Sequence, residues 1–484
     1  MLDSPDSVLF PASADRAALA AILAAELNVV RETMRQGRVA PEFDQKRLAA
    51  ELARFSFAAP MSLHEVLPWV VRQLREGGVQ VTHPRYFGLF NPAPGFPSEL
   101  AEQIVAALNP QLAALATSPA AIAIEAHVID QVARRAGLPA GSTGHFTNSG
   151  SEANFTAMIC ALTKANPAYR ENGARAFRTP PAIYISREAH LAWLKIAHQA
   201  GIGRLAVRMI ETDGQGRMNV AVLGAAVRAD VKNGAVPVMI VATAGTTVAG
   251  MVDPLQECAE IARAVGAWFH VDAAWGGAAI ACNQLRAALA GLEQADSVTI
   301  DAHKWFATTM SCGMFITKAP WLLTESFGVK AGFMPHGSGQ LEPYTSSVMW
   351  SRRFLGLRMF LNLAAIGWAG YARHVDRTVR LISILRERLT AEGWTVVNPQ
   401  ALGVLCVVPP GICQPVHTIV EEIVASGQAW ICAALFEGRE VIRICITNGL
   451  TERRDVETLA TLLLGFARVS DQQHCPRSRH DSSA

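Results

Sequence analysis

The sequence lacks the features that would mark a membrane protein, a secreted protein or a nucleic-acid binder. Its 484 residues contain no run of about 18 apolar residues, the length of a membrane-spanning helix. The first residues lack the basic and apolar regions of a signal peptide. Lys and Arg number 43 against 41 Asp and Glu, so no basic surplus attracts nucleic acid. We therefore expect a cytoplasmic protein with neither a membrane nor a nucleic-acid partner.

Paired cysteines are also missing. The nine cysteines are scattered singly, no Cys-x-x-Cys occurs, and no His/Cys cluster has the spacing of a zinc site. We interpret them as reduced core thiols and predict no metal. Apolar residues are abundant instead: 50% of the chain is hydrophobic and only 17% is charged. This composition and the length predict a well-buried globular protein with two or three subdomains.

Two neighbouring acidic sequence motifs point to chemistry between residues 266 and 305. One apolar run ends in Asp272, and a second, at 297–300, ends in Asp301-Ala-His303-Lys304. A lysine can carry an aldehyde cofactor as a Schiff base, while a carboxylate can pair with a pyridinium nitrogen. Each motif alone is weak, because an Asp after a strand often begins a loop and most lysines are solvated. Together they indicate pyridoxal phosphate (PLP) chemistry.

Strand and helix patterns alternate through the middle of the chain. Apolar runs at 182–186, 236–243 and 312–317 are typical of buried strands, and helical patterns separate most of the strands. This succession predicts an α/β fold with a mostly parallel central sheet covered by helices. Ligands bind such sheets at the carboxyl ends of the strands. The candidate residues that fall at those ends are Ser149, Gly150, Ser151, His190, Thr247, Asp272 and Lys304.

A turn of small residues at 144–154 leads into a long helical pattern. The first amides of a helix are unpaired and favour an anion, and Gly150 lets the backbone approach a ligand closely. The turn therefore predicts a phosphate site. The alternative is an ordinary capping box between Ser149 and Glu152. Both can hold together, since they use the same end of the helix.

Three domains are expected from the order of these patterns. Residues 1–80 contain helical patterns whose apolar faces have no large domain of their own to cover. We predict that they form a dimerisation arm, with an intramolecular helical layer as an equal alternative. Residues 81–371 should form the large α/β domain and residues 372–484 a small α+β domain. The segment 328–351 is rich in Gly, Pro and Ser, and we interpret it as a lid over the site.

The motifs at 147–154, 189–190, 244–247, 270–275 and 301–305 resemble, in this order, those of the PLP-dependent group II amino acid decarboxylases. This family contains the aromatic-L-amino-acid, histidine and glutamate decarboxylases. The resemblance extends from about residue 27 to about residue 466. It implies a fold-type I, aspartate aminotransferase-like structure with an N-terminal helical arm and a C-terminal α+β domain. It also implies PLP as cofactor, an amino acid substrate, and a homodimer with active sites at the interface.

The resemblance implies roles for individual residues. Lys304 would hold the cofactor, Asp272 would contact its ring nitrogen, and His190 would stack on its ring. Tyr344 resembles a mobile-loop tyrosine that returns a proton to the substrate, so Lys304, His190 and Tyr344 are the predicted catalytic residues. The remaining cofactor contacts would come from Ser149, Gly150, Ser151, Thr247, Ala274, Asp301 and His303.

One departure from the family concerns Asp301. Many members have Asn-Pro-His-Lys where this chain has Asp301-Ala-His303-Lys304. A carboxylate beside a phosphate requires a neighbouring cation. His303 or Lys304 could supply it, so we do not interpret the departure as a loss of activity.

Three further residues are predicted on the substrate side. Tyr86 and Phe87 lie in an irregular aromatic segment at 83–97, and such side chains can plug a core or line a pocket. Arg443 resembles an arginine that contacts substrate carboxylate, with a structural salt bridge as the alternative. We expect an aromatic or other bulky L-amino acid, which gives an amine and carbon dioxide. The alternatives are an acidic amino acid, with Arg85 as a second cation, an aldehyde synthase or aminotransferase, and a non-catalytic PLP-binding scaffold.

Overall fold

Helices and strands alternate along the middle of the chain. The computed structural model describes residues 8–329, 331, 332, 334, 342–399, 402–411 and 415–473. Its α-helices are α1 (Ser13–Thr33), α2 (Gln45–Leu52), α3 (Leu63–Glu76), α4 (Phe96–Leu108), α5 (Pro119–Arg135), α6 (Gly150–Ala165), α7 (Tyr169–Asn172), α8 (Ala192–Gln199), α9 (Val220–Lys232), α10 (Leu255–Val265), α11 (Asn283–Arg286), α12 (Pro320–Phe327), α13 (Pro343–Ser346), α14 (Gly356–Ala391), α15 (Val416–Ser426) and α16 (Arg453–Gln473). Its strands are β1 (Thr143–Thr147), β2 (Pro181–Ser186), β3 (Val207–Ile210), β4 (Val236–Thr243), β5 (Trp268–Asp272), β6 (Ser297–Asp301), β7 (Gly313–Thr317), β8 (Thr395–Val396), β9 (Val404–Val408), β10 (Cys432–Phe436) and β11 (Arg439–Cys445).

Seven strands form the central sheet in the order β1-β7-β6-β5-β4-β2-β3. The five strands from β6 to β3 are parallel to one another. Strand β7 runs antiparallel to both strands beside it, β1 and β6. The link from β6 to β7, residues 302–312, is shorter than the roughly dozen residues that a parallel crossover needs. The chain therefore turns straight back, and Lys304 lies in that turn. The predicted α/β fold with a mostly parallel sheet is confirmed.

The interior of the sheet explains the continuous apolar runs in the sequence. Every residue of β2, β5, β6 and β7 is buried, because helices cover both faces. Close approach of β1 to β7 requires a glycine: a Cβ on Gly144 would lie 1.8 Å from the carbonyl oxygen of Phe315. The sheet is therefore packed tightly enough to fix the ends of its strands.

A second sheet of four antiparallel strands, β10-β11-β9-β8, follows in the C-terminal part. The helical span α14 leads into it and is broken at Gly367, where φ is 61° and ψ is 179°. The break lies four residues before residue 371, the predicted end of the large domain. The cysteines among the described residues are free thiols that are buried or partly buried.

The N-terminal helices differ from the sequence expectation in detail. The first helix of the predicted helical segment 1–80 is α1, which ends at Thr33. Helix α2 was missed, although Asp44 caps it by accepting the amide of Arg47 at 2.9 Å. Helix α1 has no buried residue along its whole length. Within the described part of the chain, none of the helices has both the length and the apolarity to cross a bilayer.

A buried ion pair joins α5 to the start of α14. Arg352 Nη1 lies 3.0 Å from Glu125 Oε2, and both side chains are almost fully buried. Glu125 also accepts the amide of Gly356 at 3.1 Å, and Arg352 donates to the carbonyl of Phe146. Burial raises the pKa of Glu125, while the Arg352 charge opposes that shift. The pair thus fixes the chain where it enters α14.

Replacing Glu125 by Ala should lower the free energy of unfolding by about 3–5 kcal/mol, because it leaves the Arg352 charge buried and uncompensated. Urea denaturation measures this loss. Arg134→Ala is the matched control, since Arg134 forms an exposed pair with Asp130 on the same helix. Its expected effect is below about 1 kcal/mol. Equal losses in the two variants would contradict the assigned role of the buried pair.

Candidate active site

A cavity of about 220 Å³ opens at the carboxyl ends of the parallel strands. Its walls come from the ends of β2, β4, β5 and β6 and from the N-terminus of α6. The lining residues are Phe90, Ser149, Gly150, Ser151, Asn154, His190, Thr243, Gly245, Thr247, Asp272, Ala274, Trp275, Asp301, His303 and Lys304. Every residue that we predicted to contact the cofactor is in this set.

Lys304 reaches the cavity from the turn after β6. Its Nζ lies 3.0 Å from Asp301 Oδ2 and 5.5 Å from the centre of the Phe90 ring. Asp301 is the last residue of β6 and is buried. The Asp301 carboxylate therefore holds the ammonium group at the cavity wall. Lys304 is thus the neighbouring cation that a carboxylate beside a phosphate site requires.

Asp272 ends the neighbouring strand β5 and is also buried. Its Oδ1 accepts the amide of Ala274 at 3.2 Å, and its Oδ2 accepts Asn154 Nδ2 at 2.8 Å. A buried carboxylate is costly unless donors satisfy it, and these two bonds fix its orientation. Asn154 was part of the quoted motif but received no role. The sequence did contain a signal for this role. Asn154 is a polar residue one turn after Gly150, on a helix face that is otherwise small and apolar.

The N-terminus of α6 closes another side of the cavity. Ser149 is its N-cap and accepts the amide of Glu152 at 3.4 Å, while Glu152 accepts the amide of Asn148 at 2.9 Å. The capping arrangement therefore exists beside the anion-attracting helix end. A Cβ on Gly150 would lie 2.9 Å from Asp301 Oδ2 and 3.2 Å from the Ala274 Cβ. Glycine is needed here for the helix end to approach the cavity wall.

Two histidines of the cavity contact the backbone through Nδ1. His190 Nδ1 accepts the amide of Ala192 at 3.1 Å, so a neutral His190 carries its proton on Nε2. His303 Nδ1 lies 3.2 Å from the amide and 3.1 Å from the carbonyl oxygen of Cys312, and its Nε2 lies 3.8 Å from Asp301 Oδ2. Burial lowers the pKa of His303, with Asp301 opposing that shift. His190 thus presents an N–H to the cavity that it lines.

The donor set of the cavity fits PLP. Thr243 Oγ1 and Asp301 Oδ1 are buried polar atoms without a hydrogen-bond partner among the described residues, and both belong to cavity-lining side chains. Such atoms in a concave site indicate a polar ligand. The lysine amine suits an aldehyde, the Asp272 carboxylate a basic ring nitrogen, and the helix end a phosphate.

Comparison with known proteins agrees with this geometry. Residues 60–407 match the family model described as the pyridoxal-dependent decarboxylase conserved domain. The chain belongs to this family. It is accordingly an amino acid decarboxylase that depends on PLP.

Relatives and solved structures cover most of the chain. Tyrosine decarboxylase of Oryza sativa subsp. japonica is 31% identical over 412 residues, 78% of this chain and 76% of that protein. Acidic amino acid decarboxylase GADL1 of Bos taurus is 32% identical over 345 residues, 69% of this chain and 66% of that protein. The crystal structure of Oryza sativa TDC with PLP and tryptamine has a TM-score of 0.89 at 22% identity, covering 96% of this chain and 99% of that chain. This last similarity shows the shared fold-type I architecture.

Tyr86 and Phe87 do not reach the cavity. Phe87 is fully buried among the side chains around the second sheet, because its backbone bonds to Trp430 and Cys445 and directs the ring there. Tyr86 stacks on Trp430 with ring centres 5.1 Å apart. The aromatic residue of this segment that lines the cavity is Phe90, which stacks on Trp275 at 4.1 Å. Phe90 belongs to the aromatic segment at 83–97, from which only Tyr86 and Phe87 were predicted to bind substrate.

Arg443 lies behind Phe90 and does not line the cavity. Its Nε is 3.0 Å from the carbonyl oxygens of Thr247 and Val248, and its Nη1 donates to the carbonyl of Gly88. Its guanidinium carbon lies 4.6 Å from the centre of the Phe90 ring. Three backbone carbonyls thus take Nε and Nη1, whereas Nη2 has no hydrogen-bond partner among the described residues. The predicted contact of Arg443 with a substrate carboxylate stays a prediction.

Tyr344 also lies outside the set of cavity-lining residues of its own chain. It is buried in the short helix α13, where its amide donates to the carbonyl of Ala113 at 3.1 Å and its ring contacts Trp350 at 5.1 Å. Its role as proton donor stays a prediction. Much of the predicted lid around it, residues 330, 333 and 335–341, lies outside the described residues.

Adding a methyl group at Gly150 should weaken cofactor binding. Gly150→Ala places a Cβ 2.9 Å from Asp301 Oδ2, and such overpacking costs about 1–3 kcal/mol, or roughly a 5- to 150-fold higher Kd for PLP. Fluorescence titration of the cofactor-free protein with PLP measures the Kd. Gly465→Ala is the control, because that helical glycine has no heavy atom within 4 Å of the added Cβ. An unchanged Kd in Gly150→Ala would show that the helix end does not contact the cofactor.

Proposed function

We propose that this protein converts an aromatic or other bulky L-amino acid into the corresponding amine and carbon dioxide. The observation that carries the proposal is the meeting of Lys304, Asp272 and His190 at one cavity walled by Phe90 and Trp275. Phe90 and Trp275 bring two aromatic rings to the lining of that cavity. They suit an aromatic side chain, because such rings stack favourably on one another.

The charges of the cavity favour an uncharged substrate side chain. Among its described lining residues, Lys304 is the one that carries a permanent positive charge, and Asp301 already pairs with it. A substrate with an acidic side chain would require a second cation in addition to the group that meets its α-carboxylate. The similarity to GADL1 makes an acidic amino acid the alternative to test.

Each of the site residues would have a distinct role in the proposed reaction. When bound, PLP supplies an electron sink for the electron pair that the departing carboxylate leaves behind. Lys304 would hold the cofactor through its amine and release it to the substrate amine, with Asp301 close enough to hold the freed ammonium. Asp272 would keep a proton on the ring nitrogen. The Nε2–H of His190 would face the ring and the substrate, and the surrounding walls would exclude water.

We also propose that the protein is a homodimer and that residues 1–80 form its arm, with 81–371 and 372–484 as the two further domains. Helix α4 packs one face on α14 and exposes a stripe of apolar side chains, Phe96 (60% exposed), Leu100 (39%), Ile104 (42%) and Leu108 (76%). Helix α1 has apolar side chains but no buried residue, and it borders a groove of about 760 Å³ together with Phe96. A second copy would cover both surfaces.

Product analysis tests the catalytic proposal. Purified protein with PLP should release carbon dioxide and amine in equal amounts from aromatic L-amino acids, more efficiently than from L-glutamate or L-aspartate. Lys304→Ala should abolish turnover and the absorbance of the protein-linked cofactor. Aldehyde, ammonia and hydrogen peroxide in place of amine would identify an aldehyde synthase. Keto acid without carbon dioxide would contradict decarboxylation altogether.

A charge on the α4 stripe should dissociate the dimer. Ile104→Asp together with Leu108→Asp would bury two carboxylates in the proposed interface, so light scattering after size-exclusion chromatography should show the mass of one chain. Leu205→Asp is the control, because Leu205 is 90% exposed and lies away from α4. It should leave the mass of two chains unchanged. A dimer that survives the double substitution would place the interface elsewhere.

A further inference from the structure

A chain of buried polar side chains runs through the interior of the central sheet and ends at Asp272. Trp268 Nε1 lies 2.8 Å from Ser297 Oγ, and the same oxygen lies 2.8 Å from His270 Nδ1. His270 Nε2 lies 3.1 Å from Asn154 Oδ1, and Asn154 Nδ2 lies 2.8 Å from Asp272 Oδ2. We call this set, Trp268, Ser297, His270, Asn154 and Asp272, the relay. It connects β5, β6 and α6.

The two ends of the relay determine the direction of its hydrogen bonds. An indole nitrogen only donates and an ionised carboxylate only accepts. Ser297 Oγ therefore accepts from Trp268 and gives its own proton to His270 Nδ1. The His270 proton is then on Nε2, which donates to Asn154 Oδ1 because an amide oxygen only accepts. Every donor in the relay points toward Asp272.

The opposite direction is unfavourable in this environment. It would place a proton on His270 Nδ1, so that both Trp268 and His270 would donate to Ser297. Asn154 would then turn its oxygen toward Asp272, and two acceptors would meet unless Asp272 were protonated. The reversed relay therefore goes with a neutral Asp272, and the relay that points toward Asp272 goes with an ionised carboxylate.

The surroundings of His270 leave it few other partners. The ring is fully buried, and its edge contacts Trp193, with ring centres 5.6 Å apart and an angle of 70° between the planes. Thr299 Oγ1, at 3.4 Å from His270 Nε2, and the backbone of Ser297 are the further polar groups that the described residues bring to the ring. Burial lowers the pKa of His270 to about 4, so the ring is neutral near neutral pH.

We propose that Ser297, His270 and Asn154 are positioning residues that keep Asp272 ionised and fix its carboxylate toward the cofactor ring. The proposal rests on the proposed role of Asp272 at the ring nitrogen. With Oδ2 bonded to Asn154 and Oδ1 to the amide of Ala274, the carboxylate cannot rotate without losing a donor. A fixed, charged acceptor holds the ring-nitrogen proton in place, and that proton strengthens the electron sink.

The first experiment reads the tautomer of His270 in the cofactor-free protein. Nitrogen-15 histidine labelling, with the His270 signal assigned by its loss in His270→Gln, should show a neutral ring protonated on Nε2 from about pH 6 to about pH 8. Ser297→Ala should shift the Nδ1 resonance, because that nitrogen loses its donor. Ser297→Thr, which retains the hydroxyl, should restore it. A proton on Nδ1, or an imidazolium in this range, would overturn the proposal.

The second experiment removes the donor to Asp272. Asn154→Ala should raise the Kd for PLP and lower kcat by roughly 10- to 100-fold with little change in KM, because a hydrogen bond to a charged group is lost. It should also shift the pH dependence of the bound-cofactor absorbance. Thr163→Val is the matched control, since Thr163 is a buried residue of the same helix and, among the described residues, its hydroxyl bonds only to the carbonyl of Ile159.

The two experiments distinguish a failure of the relay from a failure of the proposed reaction. The tautomer and the cofactor absorbance do not require turnover, so they test the relay even if the wrong substrate is supplied. An Asn154→Ala protein that binds PLP and titrates as Thr163→Val does would overturn the relay. In that case decarboxylation by the wild-type protein would still stand on its own measurement.

Discussion

The burial of the Asp272 carboxylate at the tip of β5 is the constraint on which the site depends. A charge removed from water must be compensated by nearby donors or by an opposite charge. In this chain the amide of Ala274 and the side chain of Asn154 compensate Asp272. The amide of Ala274 comes from the loop that follows β5, whereas the Asn154 side chain reaches Asp272 because α6 packs directly against β5. The packing of one helix thereby sets the orientation of the group that would face the cofactor.

The charge of a second buried carboxylate, Asp301, is compensated by a cation instead of by neutral donors. Asp301 ends β6 and is compensated by the Lys304 ammonium at 3.0 Å, within the tight return to β7. The antiparallel course of β7 is therefore part of the site, because a long helical crossover would carry Lys304 away from the strand tip. Removal of the ammonium charge would leave Asp301 unbalanced beside the end of α6, so cofactor binding and Asp301 are physically coupled.

The sequence was sufficient to predict those site residues whose position follows from the order of the motifs along the chain. Gly150, Asp272 and Lys304 could be assigned to one site because parallel strands end at a common edge, and motif order placed each residue at an end. Phe87 and Arg443 could not be placed in this way. Their surroundings are built by β11 and by Trp430, which lie far away in sequence, and no periodicity reveals such packing. Helix α2 was missed because it spans only Gln45–Leu52 and its apolar pattern is short.

Arg443 shows how a residue outside the cavity-lining set can still shape the cavity. It lies on β11 of the second sheet, yet its donors hold the carbonyl of Thr247 and that of Gly88, which is two residues before Phe90. Thr247 itself lines the cavity. The guanidinium also supports the Phe90 ring from behind. Because one side chain fixes both a loop of the central sheet and the aromatic wall, the C-terminal sheet determines the shape of the cavity without lining it.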